Sequence, residues 1–443
     1  TIVQAGLLAT GKFMAKETGW PRSAAFVQQR LWVGGFRSAP TSYGFSNNPN
    51  IWNFQNTGTP LTADLAIFGS LDVKEVETIN AVFVGRDLQM FTEVGEWYGE
   101  TRTIDATKPI NWVKASGHGI ARGTPLVFAD GATLFVQQGG ETLRDFLYDA
   151  TGEAAYSAEP LTVLAPHLLT GVTDLTHRKA RSVRDGNLIA MVNADGSMAV
   201  VTLLRKQQVI AGAPWVTSGA GFRAVSASID HQLYAVVERG ASYWLEKWTP
   251  ATPLDWATRS VGAARTVVTG LTYLEGRTDV WAYADGDLVG PLTVTSGAIV
   301  LEKAAQEVIV GLEPAFGTRS HVVRDKLQNS QPFRGPARIY EIELSLKATG
   351  GIAIGTNGNA HTTVPLVRTG DKFKNGGPLQ TADGGEPTLP TMQRLYTGDV
   401  LITGILGVSD KPFFELSRPG PVPVTVKAAR YETAGRGDQM GGA

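Results

Sequence analysis

Short apolar runs separated by Gly, Asp or Asn recur along this chain, and few stretches carry the spacing of an amphipathic helix. From Leu126 to Asp149 the style is most compact: Asp130-Gly131 splits two apolar runs, and Gly139-Gly140 splits the second from a third. Asp-Gly supplies the positive φ angles of a tight type I′ turn, so the block predicts three antiparallel strands in a meander. Further strands are predicted at Ala24–Trp32, Asn80–Thr92, Thr124–Ala129, Thr133–Gln137 and Thr142–Tyr148. Beyond Pro160 come Asn187–Asn193, Met198–Leu204, Val209–Trp215, Ala224–Ile229, Leu233–Glu238 and Tyr243–Trp248. Short strands spaced by turn residues predict an all-β fold, with a propeller-like domain of small antiparallel sheets over residues 1–265. No exact repeat period sets the number of blades.

A second style begins near Val267. Thr269–Glu275, Val280–Ala284, Leu288–Val294 and Ala298–Lys303 predict a small meander or barrel module over 266–332, turned at Asp285-Gly286 and Ser296-Gly297. A C-terminal β domain, barrel or sandwich, is expected over 333–434. In it Arg338–Leu346 alternates, with Tyr340, Ile342, Leu344 and Leu346 on one face. Residues 349–389, rich in Gly, Asn and Thr, read as a long exposed loop, and 435–443 as a flexible tail. Strands resume at Asp399–Leu406, Phe413–Ser417 and Val422–Arg430.

Composition sharpens this picture. Glycine supplies 51 of 443 residues, against about 7% in an average protein, as a turn-dense β chain requires. Forty basic and 41 acidic residues leave a net charge of −1, so the surface as a whole is not built to grip nucleic acid or an anionic membrane. The absence of cysteine excludes disulfides, thiolate metal sites and cysteine nucleophiles. No apolar run reaches the roughly 18–20 residues that span a bilayer, and no basic-then-apolar leader opens the chain. The chain starts at Thr1 without Met, which leaves open whether an N-terminal part precedes it.

Few constellations carry chemistry. Gly219–Ala224 fits a dinucleotide fingerprint but is followed by an alternating, strand-like stretch where the motif needs a helix. His118, His167, His177, His231, His321 and His361 are scattered, without metal-ligand spacing. Glu93 and Glu96, with Glu100 close behind, are the acids to test for glycosidase chemistry. No nucleophile elbow and no phosphate loop occur. Arg178, Lys179, Arg181 and Arg184 form the densest basic stretch, a candidate for contacting DNA phosphates or a solvated loop. Arg436-Gly437-Asp438 reads as a chance tripeptide. Trp32, Trp52, Trp97, Trp112, Trp215, Trp244, Trp248, Trp256 and Trp281 lie in or beside predicted strands and are expected to pack sheet on sheet, whereas an exposed row would stack sugars. No catalytic residue, metal ligand or cofactor is predicted.

Several segments together carry a family likeness. They are Pro21–Gly35 with Ala39-Pro40, Ser42–Ser46 and Trp52–Phe54; Val82–Trp97; Leu126–Asp149; Leu164–Leu168; Leu204–Gln208; Val268–Leu271 with Leu274–Gly276; and Thr397–Val400 ahead of Pro421–Val426. In that order they resemble the tail nozzle proteins of short-tailed phages, also called tail tubular protein B or tail hub-stabilisation proteins. The resemblance spans about residues 20–430; the substantial N-terminal region of such proteins is absent here, and the 349–389 stretch is unusual. It implies a β-propeller with attached β domains, six copies of which form a ring below the portal and head–tail adaptor. Such a ring holds tail fibres or spikes outside and passes double-stranded DNA inside, in a virion assembled in the bacterial host cytoplasm. It implies a structural protein that is not an enzyme, with no cofactor. The competing reading is a carbohydrate-binding or glycan-cleaving propeller.

Overall fold

The computed structural model describes Met14, Lys16 and residues 19–435, apart from 57–59, 74–76, 101–102, 151–154, 182–185, 251, 323–335, 367–394 and 405–406. The chain is all-β and divides into two compact units, Thr1–Trp248 and Thr249–Ala443. The first unit is propeller-like, and each of its five sheets is a meander of strands adjacent in sequence. The first sheet joins Pro21–Val27, Arg30–Phe36, Ser42–Phe45 and Ile67–Ser70. The second joins Ile79–Val84, Leu88–Thr92, Glu96–Gly99 and Trp112–Ser116. The third joins Val127–Ala129, Ala132–Val136, Leu143–Asp149 and Ala155–Pro160, and the fourth Val172–Arg178, Asn187–Asn193, Met198–Leu204 and Val209–Trp215. Gly221–Ala227, Leu233–Arg239 and Ser242–Lys247 make the three-stranded fifth sheet.

Turn chemistry explains most boundaries. Asp130 and Gly131 take φ of 47° and 85°, and Asp285 and Gly286 take 49° and 91°, as type I′ turns demand. One hairpin breaks the pattern. The run Ala24–Trp32, expected as one strand, folds back at Gln28 and Gln29, whose φ angles of 45° and 61° occupy the region that favours glycine. Gln28 helps fix the turn, because its Oε1 accepts the Ile104 N–H at 3.0 Å. Behind it Arg30, 1% exposed, donates to the carbonyls of Ser46, Leu65 and Ala63. Asn80–Thr92 likewise proves to be two strands.

Apolar residues from successive sheets interleave. Trp32, Tyr43 and Phe45 of the first sheet meet Ile79, Val82, Leu88, Met90 and Trp97 of the second. Phe91 meets Phe135, Phe146 and Tyr156 of the third, and Leu134 and Leu143 of the third meet Leu175, Ile189 and Val201 of the fourth. Ala190, Val192, Met198 and Val200 then pack against Phe222, Val225, Leu233 and Val237 of the fifth. Among the described residues, no such cluster joins the fifth sheet back to the first.

The second unit holds three further sheets, none closed into a barrel among the described residues. In one, the strands run in the order Asp255–Thr269, Ala298–Leu312, Val280–Ala284, Asp287–Leu292. The expected strand Thr269–Glu275 is instead a strand end followed by a 3₁₀ turn at Thr272–Leu274. Two more sheets share one core. Ile342, Leu344 and Leu346 of Ala337–Thr349 face Ile352 and Ile354 of Ile352–Thr356 and Phe414 and Leu416 of Phe414–Ser417. Val426–Gly435 and Tyr396–Thr403 flank Ala337–Thr349. A register shift between Ile339 and Glu341 changes the phase of the alternation, burying Ile339 and leaving Tyr340 38% exposed. Where a loop was expected from 349, the chain forms a fully buried strand at Ile352–Thr356 and a short one at Thr362–Val364. Residues 367–389 of that stretch and 436–443 of the expected tail lie outside the described residues.

Candidate functional site

The acids singled out in the sequence lie at one corner of the second sheet. Glu93 Oε1 accepts from the Thr78 hydroxyl at 3.1 Å. Glu96 is fully buried; its Oε2 accepts from the Ser116 hydroxyl at 2.6 Å and the His118 N–H at 3.3 Å. The carboxylate that gathers most partners is Glu77, which no motif marks. Its Oε1 takes Lys114 Nζ at 2.6 Å, and its Oε2 takes the Thr92 hydroxyl at 2.8 Å and the Trp97 indole N–H at 3.2 Å. Burial pushes the Glu77 pKa up, but the hydrogen bonds from Lys114, Thr92 and Trp97, with the Lys114 charge, hold it below the ordinary carboxylate value. Both Glu77 oxygens are engaged by side chains of three different strands, so this group fastens the sheet corner. The spacing in sequence hides this because the donors lie 15, 20 and 37 residues away.

The basic stretch divides on inspection. Arg178 is 4% exposed, donates from Nε to the His231 carbonyl at 3.1 Å, and lies 5.1 Å from the centre of the Trp248 ring. Arg181 is exposed and donates to the Asp230 carbonyl, Lys179 is exposed, and Arg184 lies outside the described residues. His177 holds the Phe128 carbonyl at 2.8 Å, and burial lowers its pKa. Of the four basic candidates, then, Arg178 ties the fourth sheet to the fifth, while Lys179 and Arg181 face solvent.

The tryptophans also divide. Trp32 and Trp97 are buried between sheets, Trp112 stacks on Trp32, and Trp215 packs on Trp248. Trp52 is 63% and Trp244 37% exposed. The outer strand of the fifth sheet, Ser242–Lys247, leaves Tyr243 and Leu245 67% and 73% exposed. On the fourth sheet, Val209 and Ile210 of the edge strand Val209–Trp215 are exposed. Gly219–Ala224 leads into the strand Gly221–Ala227, so the helix a dinucleotide site needs is not there. Among the described residues no group of three or more His, Asp or Glu is placed to hold a metal ion, and no helix is long and apolar enough to cross a membrane.

No family model matches the chain, and no curated protein matches it in sequence. Among solved structures it is similar to a catalytically inactive virginiamycin B lyase from Staphylococcus aureus with quinupristin (11% identity, TM-score 0.32), over 68% of this chain and 97% of that one. It is also similar to the dihydro-heme d1 dehydrogenase NirN (10%, TM-score 0.30; 64% of this chain, 58% of that one). A glucose dehydrogenase matches at 12% identity and TM-score 0.24, over 52% of this chain and 97% of that one. The expectation that the chain is not an enzyme is corrected here, because the structures it resembles are a lyase and dehydrogenases. At these identities neither substrate nor residue role transfers from them.

Proposed function

We propose that the chain is a structural subunit of the virion of a short-tailed phage. It is the tail nozzle protein, six copies of which ring the DNA ejection channel between the head–tail adaptor and the tail fibres or spikes. The ordered likeness of its segments to that family supports this reading. The observation that carries it is the outer strand of the fifth sheet, where Tyr243 and Leu245 stand uncovered at one end of the succession of sheets, with Val209 and Ile210 exposed on the edge strand of the fourth. Contiguous apolar positions of this kind mark a surface meant for a partner, and a ring supplies one on every subunit. The near-neutral charge fits a channel that passes DNA without holding it, since each basic contact would add to a salt-dependent grip. A ring role and catalysis are compatible on one chain.

Light scattering of the purified chain, followed by negative-stain imaging, tests this. Rings of about six subunits are expected. A monomer at all concentrations that binds glycans, and loses them on Trp52→Ala, would establish the carbohydrate-binding propeller instead.

A further inference from the structure

One constellation in the second unit lies outside everything above. Strand Phe414–Ser417 turns Phe414 and Leu416 into the core, so Glu415 and Ser417 stand side by side on its opposite face. The neighbouring strand Ile352–Thr356 pairs Gly355 with Glu415 and Ala353 with Ser417. Beyond it the chain turns at Asn357 and Gly358, both at positive φ, and returns at Thr362–Val364 with His361 just ahead. Gly355 makes room for the imidazole: a Cβ there would lie 2.4 Å from His361 Cδ2 and 2.9 Å from its Nε2. The ring therefore lies across the strand and spans its two neighbours. Its Nδ1 is 2.5 Å from Ser417 Oγ, and its Nε2 is 3.7 Å from Glu415 Oε2.

We propose that Ser417, His361 and Glu415 form a nucleophile, base and orienting acid that act on carboxylic esters. The carboxylate beside Nε2 favours the tautomer with the proton on that nitrogen, which leaves Nδ1 as a lone pair aimed at the serine hydroxyl. Such constellations are recognised by roles and distances, not by chain order, and their hydrogen bonds often tighten only once substrate is bound. Glu415 and His361 are 27% and 30% exposed in their side chains, so a substrate can approach from solvent. In the reaction Ser417 Oγ attacks the ester carbonyl carbon while its proton passes to His361 Nδ1. The bond to the leaving oxygen then breaks, and that oxygen takes the proton from His361 and departs as an alcohol. Water, deprotonated by the same nitrogen, attacks the acyl-serine, and its hydrolysis returns the serine and releases a carboxylic acid.

The test uses the full chain with a fluorophosphonate probe and with p-nitrophenyl acetate, and maps the adduct by mass spectrometry. A single adduct on Ser417 is expected, with the rate falling at least about 100-fold in His361→Gln, the usual worth of a general base. Glu415→Gln, which leaves both reacting groups in place, should slow labelling, and Glu415→Asp should restore part of the rate. Absence of an adduct on Ser417 in the folded wild-type chain would overturn the proposal. So would equal labelling rates in wild type and His361→Gln. Neither result bears on ring assembly, so the two readings fail separately.

Discussion

Glu77→Ala perturbs the corner of the second sheet where the network is densest. Removing the carboxylate leaves the Trp97 indole N–H without its acceptor in a residue only 8% exposed, a loss of about 1–3 kcal/mol. Lys114 is 37% exposed and can turn to water, so screening holds its share of the lost ion pair below about 1 kcal/mol. Thr92 keeps a second acceptor, the Gly95 carbonyl at 2.9 Å, and contributes little. The one lost methylene adds about 0.8 kcal/mol. A destabilisation of about 3 kcal/mol follows, which for a unit of this size lowers Tm by about 6–12 °C. Differential scanning fluorimetry with the tryptophan signal reads it directly, and Glu77→Gln, which keeps one acceptor oxygen, should fall between parent and alanine. An alanine variant that melts within about 2 °C of the parent would refute the reasoning. The acid limb gives a second check. Because the folded pKa of Glu77 is depressed, its stabilisation is fully present above the unfolded value near 4.3 and is lost as pH falls through the folded value. In Glu77→Gln that part of the acid dependence should vanish.

Gly35→Ala should be severe: its φ is 75° and an added Cβ would lie 2.0 Å from the Ile79 carbonyl oxygen, so a loss above about 3 kcal/mol is expected in the same melting assay. Gln29→Gly should raise stability by a few tenths to about 1 kcal/mol, because relief of the left-handed backbone at φ 61° exceeds glycine's added unfolded-state entropy. Arg178→Ala should cost about 2–3 kcal/mol through its lost carbonyl bond and Trp248 contact, with no effect on DNA affinity. If the exposed pair meets DNA, Lys179→Ala and Arg181→Ala should each lower the salt slope of binding by about 1 with little change in Tm.

How much of this the sequence disclosed depended on whether a local rule decided the outcome. Asp130-Gly131 and Asp285-Gly286 set their hairpins because the turn residues alone supply the required φ. Gln28-Gln29 carries no such mark, since its positive φ is imposed by the strands on either side and by the Ile104 contact. Ala155–Pro160 carries no strand signal in sequence because it pairs at the edge of its sheet, where proline is tolerated and few apolar residues are required. The Gly- and Thr-rich stretch after 349 hid a buried strand because Gly355 is selected there by the ring lying against it, not by flexibility. Charge density flagged Arg178 through Arg184 together. Only packing reveals that Arg178 is an internal strut. Glu77 could not be singled out at all, since three strands must fold before its donors converge.

The order in which cores form follows from the sheet sequence of the first unit. Each hydrophobic cluster there is built by sheets that follow one another along the chain, so every sheet can dock on its predecessor as soon as it leaves the ribosome. Misfolding risk at any moment is then confined to the newest face, the one not yet covered. The second unit lacks this privilege, because Ala337–Thr349 must wait for Val426–Gly435 before its far edge is paired. During synthesis that edge is the place where a chaperone, or a stray strand from a neighbouring chain, finds an opening.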